Sequence, residues 1–161
     1  MIKKILVVLL IALIIIQFFH PKKNQASATQ PNYVGNVFAI PADVQGILKK
    51  ACNDCHSNNT VYPWYSKIQP VDWWLDHHVK EGKKELNLDD FSQRSLRFQY
   101  KKMEEIAEQV KKGEMPLNSY LWIHKDAKLT DDEKNKLINW ADAIRDTMKA
   151  KYPIDSLVRK K

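Results

Sequence analysis

Cysteine is almost absent from this sequence: two occur in 161 residues, Cys52 and Cys55, and neither is near the N-terminus. The missing N-terminal cysteine excludes lipid attachment to the leader. The two cysteines present are three apart, and a loop that short constrains the unfolded chain too little to serve as a structural disulfide. Acid is absent from residues 1–23, which carry Lys3, Lys4, Lys22 and Lys23. Those four lysines account for much of the formal charge of +7; the other 22 basic residues against 19 acidic ones leave only +3. That is an ordinary solvated surface, and a nucleic-acid partner is not implied. Two-residue alternation of apolar and polar side chains is missing, which argues against sheet, and there is no internal repeat.

The leader is the first feature present. Met1-Ile2-Lys3-Lys4 precedes an apolar run from Ile5 to Phe19, and His20-Pro21-Lys22-Lys23 follows. A basic start and an apolar stretch are the build of an export signal. The run is short against the roughly 17–25 residues of a membrane span, but snorkelling lysines extend its reach. Ala26-Ser27-Ala28 resembles a processing site, yet it lies nine residues past Phe19, so an uncleaved anchor is favoured over a cleaved signal. The expected organisation is a signal-anchor or transmembrane segment at 1–23, a polar linker at 24–37, a domain at 38–150 and a tail at 151–161. The domain would face the periplasm or cell exterior, on the outer side of the cytoplasmic membrane.

Four helices are expected in an all-α domain. The first opens at Pro41 and runs to about Cys52, with Val44, Ile47, Leu48 and Ala51 on one face. The second covers about Asp72–Glu81 and stops at Gly82, its apolar face being Val71, Trp74, Leu75, His78 and Val79. The third runs from about Ser92 to Lys112, with Leu96, Tyr100, Met103, Ala107 and Val110 inward and Gly113 as its stop. The last opens at Thr130, which with Glu133 has the spacing of a capping box, and buries Leu137, Trp140, Ala141, Ile144 and Met148.

The chemistry concentrates at Cys52-Asn53-Asp54-Cys55-His56, which reads as CxxCH, a c-type haem attachment pattern. Two thiols three apart on a helical turn project to one side, where they add to the two vinyl groups of one haem. The following histidine is carried beneath the ring as an axial ligand of the iron. A redox CxxC would want a strand before it, and none is expected. A zinc site would want a second spaced pair, whereas His77-His78 is adjacent.

For the sixth iron position, Met115 in Met115-Pro116 leads: it follows the Gly113 stop and lies outside every helical stripe. Met103 and Met148 lie on helix faces and read as core filler. His78 is the runner-up distal ligand, on the face of Trp74 and Leu75 with His77 rotated away, and His124 comes third. Tyr62, Trp64, Tyr65, Trp73, Trp74, Tyr120, Trp122 and Trp140 are many large rings for a short domain. Among them Trp64, Trp74 and Tyr120 are candidates for the haem wall.

At these residues the chain resembles the haem-binding domain proteins of Bacteroidetes-type bacteria, which belong with cytochrome c. The resemblance covers about residues 38–148. It rests on Cys52-Asn53-Asp54-Cys55-His56-Ser57, Tyr62-Pro63-Trp64-Tyr65, Pro70 and Trp73-Trp74. His78-Val79, Gly82, Gly113-Glu114-Met115-Pro116, Tyr120, His124 and Leu129-Thr130 follow in that order. It implies one covalent haem c with His56 proximal and the Met-Pro methionine distal, in a small cytochrome c-like helical domain; it supplies no reaction. The expectation is therefore a monohaem cytochrome, not an enzyme, that relays single electrons between redox partner proteins at the membrane. The rivals are a gas sensor or peroxidase-like enzyme with an open or labile sixth site, and an accessory role in which haem stabilises a complex.

Overall fold

The computed structural model describes residues 1–26 and 29–159. Ser27 and Ala28 of the expected processing site, and Lys160 and Lys161 of the tail, lie outside them. The helices are α1 (Ile2–Ile16), α2 (Ala42–Ala51), α3 (Asn53–His56), α4 (Val71–Glu85), α5 (Leu96–Lys112), α6 (Asn118–Leu121), α7 (Asp131–Lys151) and α8 (Ile154–Leu157). Short 3₁₀ turns join several of them, and among the described residues the only β interaction is an isolated bridge between Gln25 and Asn59.

The local signals act as their chemistry requires. The Thr130 side chain accepts from the Glu133 N–H at 3.2 Å while Glu133 Oε2 accepts from the Thr130 N–H at 2.9 Å, so α7 starts on a reciprocal cap. Helix α5 begins later than expected, where Ser95 Oγ caps the Phe98 N–H. It ends at Gly113, whose φ of 73° is the left-handed conformation that only glycine adopts cheaply. The core lies between α5, α7, α2 and α8. Met103, Leu137, Ala141 and Met148 are fully buried there, with Val44, Ile47 and Leu48 packed beside them. The segment expected as a tail contributes too: α8 folds back and buries Leu157.

The membrane expectation fails. Helix α1 has 15 residues, and at 1.5 Å per residue it reaches about 22 Å, short of the ~30 Å hydrocarbon layer. No helix among the described residues is long and apolar enough to cross a membrane. The single-pass anchor, the membrane as a partner and the placement at the outer face of the cytoplasmic membrane fall with it. Just past the end of α1, Gln17 turns to the domain: its amide donates to the Gln69 carbonyl at 3.2 Å and its Oε1 accepts from the Gln69 N–H at 2.9 Å.

From there the chain is a strap laid on the domain, not a spacer. The Gln69 amide and the Trp73 indole both donate to the Phe19 carbonyl. His20 Nδ1 and Lys23 Nζ meet the two oxygens of Asp72 at 2.7 and 2.6 Å, and the Asp72 side chain is 1% exposed. Asn24 then bonds the Ser57 carbonyl, the Thr60 hydroxyl and the Tyr62 hydroxyl, all in the loop that follows His56. A buried carboxylate stripped of its counter-charges is costly. His20→Ala with Lys23→Ala should therefore lower the unfolding free energy by about 3–5 kcal/mol in urea titration. A loss below about 1 kcal/mol, the worth of an exposed pair, would show that water already reaches Asp72.

Candidate functional site

The residues of the site are brought together by a break between two helices. Helix α2 ends at Ala51, next to the expected end at about Cys52; Cys52 leaves helical geometry at φ −126°, and the short α3 starts at Asn53. The His56 N–H then bonds back to the Cys52 carbonyl at 2.9 Å, so both cysteines and the histidine sit on one tight turn.

Helix α4 packs directly on that turn. It does not stop at Gly82 but runs on to Glu85. A Cβ at Gly82 would lie 2.7 Å from the Cys55 carbonyl oxygen and 3.0 Å from the Cys55 Cβ, so glycine is needed for the close approach. That approach serves His56. Its Nδ1 lies 3.0 Å from the Gly82 carbonyl and 2.9 Å from the Leu86 carbonyl. Both partners only accept, so Nδ1 carries the proton and Nε2 is the nitrogen left to bind a metal. Burial lowers the His56 pKa, which keeps the imidazole in the neutral form a ligand requires.

Gly82→Ala should push α4 off the Cys55 backbone and lower stability by about 1–3 kcal/mol, with less haem retained per chain. Gly46, in the exposed middle of α2, is the control: a Cβ there meets nothing within 4 Å. Gly46→Ala should stabilise by about 0.4–1 kcal/mol, and thermal melts of both variants check the pair.

The two cysteines are free. Burial, then its neighbour Cys55, pushes the Cys52 thiol up to about 12, and burial, then Asp54, pushes Cys55 up to about 11. A redox-active CxxC lowers a thiol pKa to make the thiolate; this turn does the reverse. Among the described residues no group of three or more His, Cys, Asp or Glu could hold a metal ion, so the zinc reading gains nothing.

Two cavities flank the turn. One, of about 280 Å³, is lined by both cysteines, His56, His78, Met115 and Tyr120. The other, of about 300 Å³, shares Cys52, His56 and Met115 and is otherwise largely apolar, with Leu48, Ile106 and Val110. A larger groove of about 840 Å³ lies between residues 22–26, α4 and residues 87–98, and contains none of these groups.

The expected site residues are placed unevenly. Met115 lies on the wall of both cavities, just past the Gly113 cap, with its N–H on the Gln109 carbonyl at 3.3 Å. His78 faces the same space. Its Nδ1 donates to the Trp74 carbonyl at 2.8 Å, and its ring leans on Trp74 with centroids 4.4 Å apart. His77, expected to be turned away, also lines that cavity. Trp74 lines a small adjoining space with Cys55 and Tyr120. Trp64 is not at the site: it is 75% exposed, its ring edge-on to Tyr65. His124 is taken up by the Tyr65 hydroxyl and by stacking on Tyr120.

Asp54 was not singled out among the sequence candidates, and it proves central. Its Oδ2 accepts from the Tyr120 hydroxyl at 2.7 Å and its Oδ1 from the Val61 N–H at 3.0 Å. Burial, and then this bond, raise the Tyr120 pKa, so the phenol keeps its proton.

A family model described as a haem-binding domain matches residues 11–143. The chain belongs to the haem-binding domain family. No curated protein and no solved structure matches it. The match reaches further toward the N-terminus than the resemblance in the sequence, taking in the end of α1 from residue 11 and the whole strap. That agrees with the strap being built into the domain. The chemistry of the donor set fits a haem: two free thiols, an imidazole with one nitrogen uncommitted and a thioether, all on the walls of adjoining cavities. Cys52, Cys55, His56 and Met115 are the residues that would hold it.

Proposed function

We propose that this protein is a monohaem c-type cytochrome that carries single electrons between redox partner proteins. Cys52 and Cys55 would hold the haem through thioethers, with His56 as proximal and Met115 as distal ligand. The observation that carries the reading is the state of His56: Nδ1 is spent on two fixed carbonyls, one in α4 and one just past its end, and Nε2 is free on the same turn as two protonated thiols. The haem, when bound, supplies a reversible one-electron change at its iron. Each thiol would form its thioether by adding S–H across a vinyl C=C, sulfur to one carbon and hydrogen to the other, with no net oxidation. His56 holds a lone pair in a fixed direction, and Met115 offers a neutral sulfur.

One observation favours a second reading. His77, His78 and Glu81 share the 280 Å³ cavity with His56, so a gas-binding or peroxidase-like site with a labile distal ligand is the alternative. Attachment is tested on the wild-type protein by acid–acetone extraction followed by haem staining of a denaturing gel. Haem that stays with the polypeptide is expected; haem that extracts freely would overturn the covalent assignment.

A further inference from the structure

The stretch from Glu114 to His124 carries Met115 yet has little of its own to hold it. At its start, the N–H groups of Glu114 and Met115 share the Gln109 carbonyl at 3.0 and 3.3 Å; beyond that its backbone bonds are local. Among the described residues, two side-chain hydrogen bonds fasten it to the rest of the chain. His124 Nε2 meets the Tyr65 hydroxyl, and the Tyr120 hydroxyl donates to Asp54 Oδ2 at 2.7 Å. The Tyr120 and His124 rings stack with centroids 4.1 Å apart and planes 6° apart, so the two fastenings act as one body. Asp54 is held in turn: besides Val61, its backbone carbonyl accepts from the Thr60 hydroxyl at 2.6 Å. It also lies between the two cysteines, on the turn that presents His56.

We infer that Asp54 is a positioning residue that, through Tyr120, latches the Met115-bearing segment to the haem-attachment turn. It rests on the reading of His56 and Met115 as the axial pair. The Asp54 carboxylate is the direct tie between the two ligand-bearing pieces of chain, while the second fastening, His124 on Tyr65, holds the segment to the loop before α4. A hydroxyl on an ionised carboxylate is a strong bond for its size, and it is directional.

Tyr120→Phe in the full-length holoprotein removes one oxygen and leaves the ring and its stacking. Amide exchange at Tyr120–His124 should rise about tenfold, and CO association with the ferrous protein should rise by about the same factor, as expected for a charge-assisted hydrogen bond lost from one state of a two-state segment. The haem should remain covalent. Asp54→Asn leaves one acceptor oxygen for two donors, Tyr120 and Val61, and no charge, so it should raise both rates by less than Tyr120→Phe does, while Asp54→Ala should behave as Tyr120→Phe does. If both rates in Tyr120→Phe stay at wild-type values, the latch is overturned. If Met115→Ala also leaves CO binding unchanged, the ligand assignment has failed; the exchange rates alone then decide the latch.

Discussion

The Cys52→Ala/Cys55→Ala double variant is expected to retain no haem through denaturation, and each single variant much less than wild type. Both sulfurs lie on one turn and face one set of cavities, so losing either leaves a single thioether and a ring free to swing about it. The loss should extend to folding. The wall of the 300 Å³ cavity includes Leu48, Ile106, Val110 and Leu137, which continue the buried core, so a group that fills this space would extend that core. A ligand that binds the folded state alone stabilises it by mass action, and covalent attachment makes that contribution permanent. The double variant should therefore melt lower and less cooperatively by circular dichroism. A variant that melts as sharply and as high as the holoprotein would show the haem to be peripheral.

Met115→Ala should convert the iron from a slow to a fast CO binder and lower its reduction potential. A thioether favours the reduced iron over the oxidised one, and its removal opens the sixth position. The comparison that isolates this effect uses the other methionines. Met103 and Met148 are fully buried between α5 and α7, so their alanine variants should cost about 2–5 kcal/mol of stability and leave the spectrum and CO rate unchanged. His78→Ala separates the two readings of the site. It should keep a low-spin spectrum if Met115 is the ligand and lose it if His78 is. Wild-type protein that binds CO at once, with Met115→Ala spectrally silent, would move the gas-binding reading ahead.

Local physics made much of this fold legible. The Thr130–Glu133 cap and the Gly113 stop depend on residues within one turn of each other, and the stripe Leu137, Trp140, Ala141, Ile144, Met148 repeats with the period of a helix. Failures came where the cause lies far along the chain. Gly82 reads as a stop because glycine is a poor helix former, but its function is to let Cys55 come within 3 Å, and Cys55 is 27 positions away. The polar composition of residues 20–26 reads as a spacer because Asp72, which His20 and Lys23 satisfy, lies about 50 positions on. The apolar run of α1 was measured by composition, whereas the helix ends at Ile16 and Gln17 just past it bonds to Gln69. Trp64 matched an aromatic pattern, and nothing in a pattern tells a cavity wall from an exposed edge. Asp54 could not be read at all, since its partner Tyr120 is 66 positions away and the middle of the attachment turn tolerates any residue.

The hydrogen bonds of His56 have an electronic consequence. Gly82 presents its carbonyl from the last turn of α4, and Leu86 presents its own from the extended residue just past the helix. An imidazole that donates its N–H to fixed carbonyls becomes a stronger electron donor through its other nitrogen. In the proposed cytochrome this push favours the ferric iron, while the Met115 thioether favours the ferrous. The working potential would then be a balance struck between two backbone carbonyls behind His56 and the sulfur of Met115, and a small shift of the chain at Gly82 and Leu86 would retune it without touching either ligand.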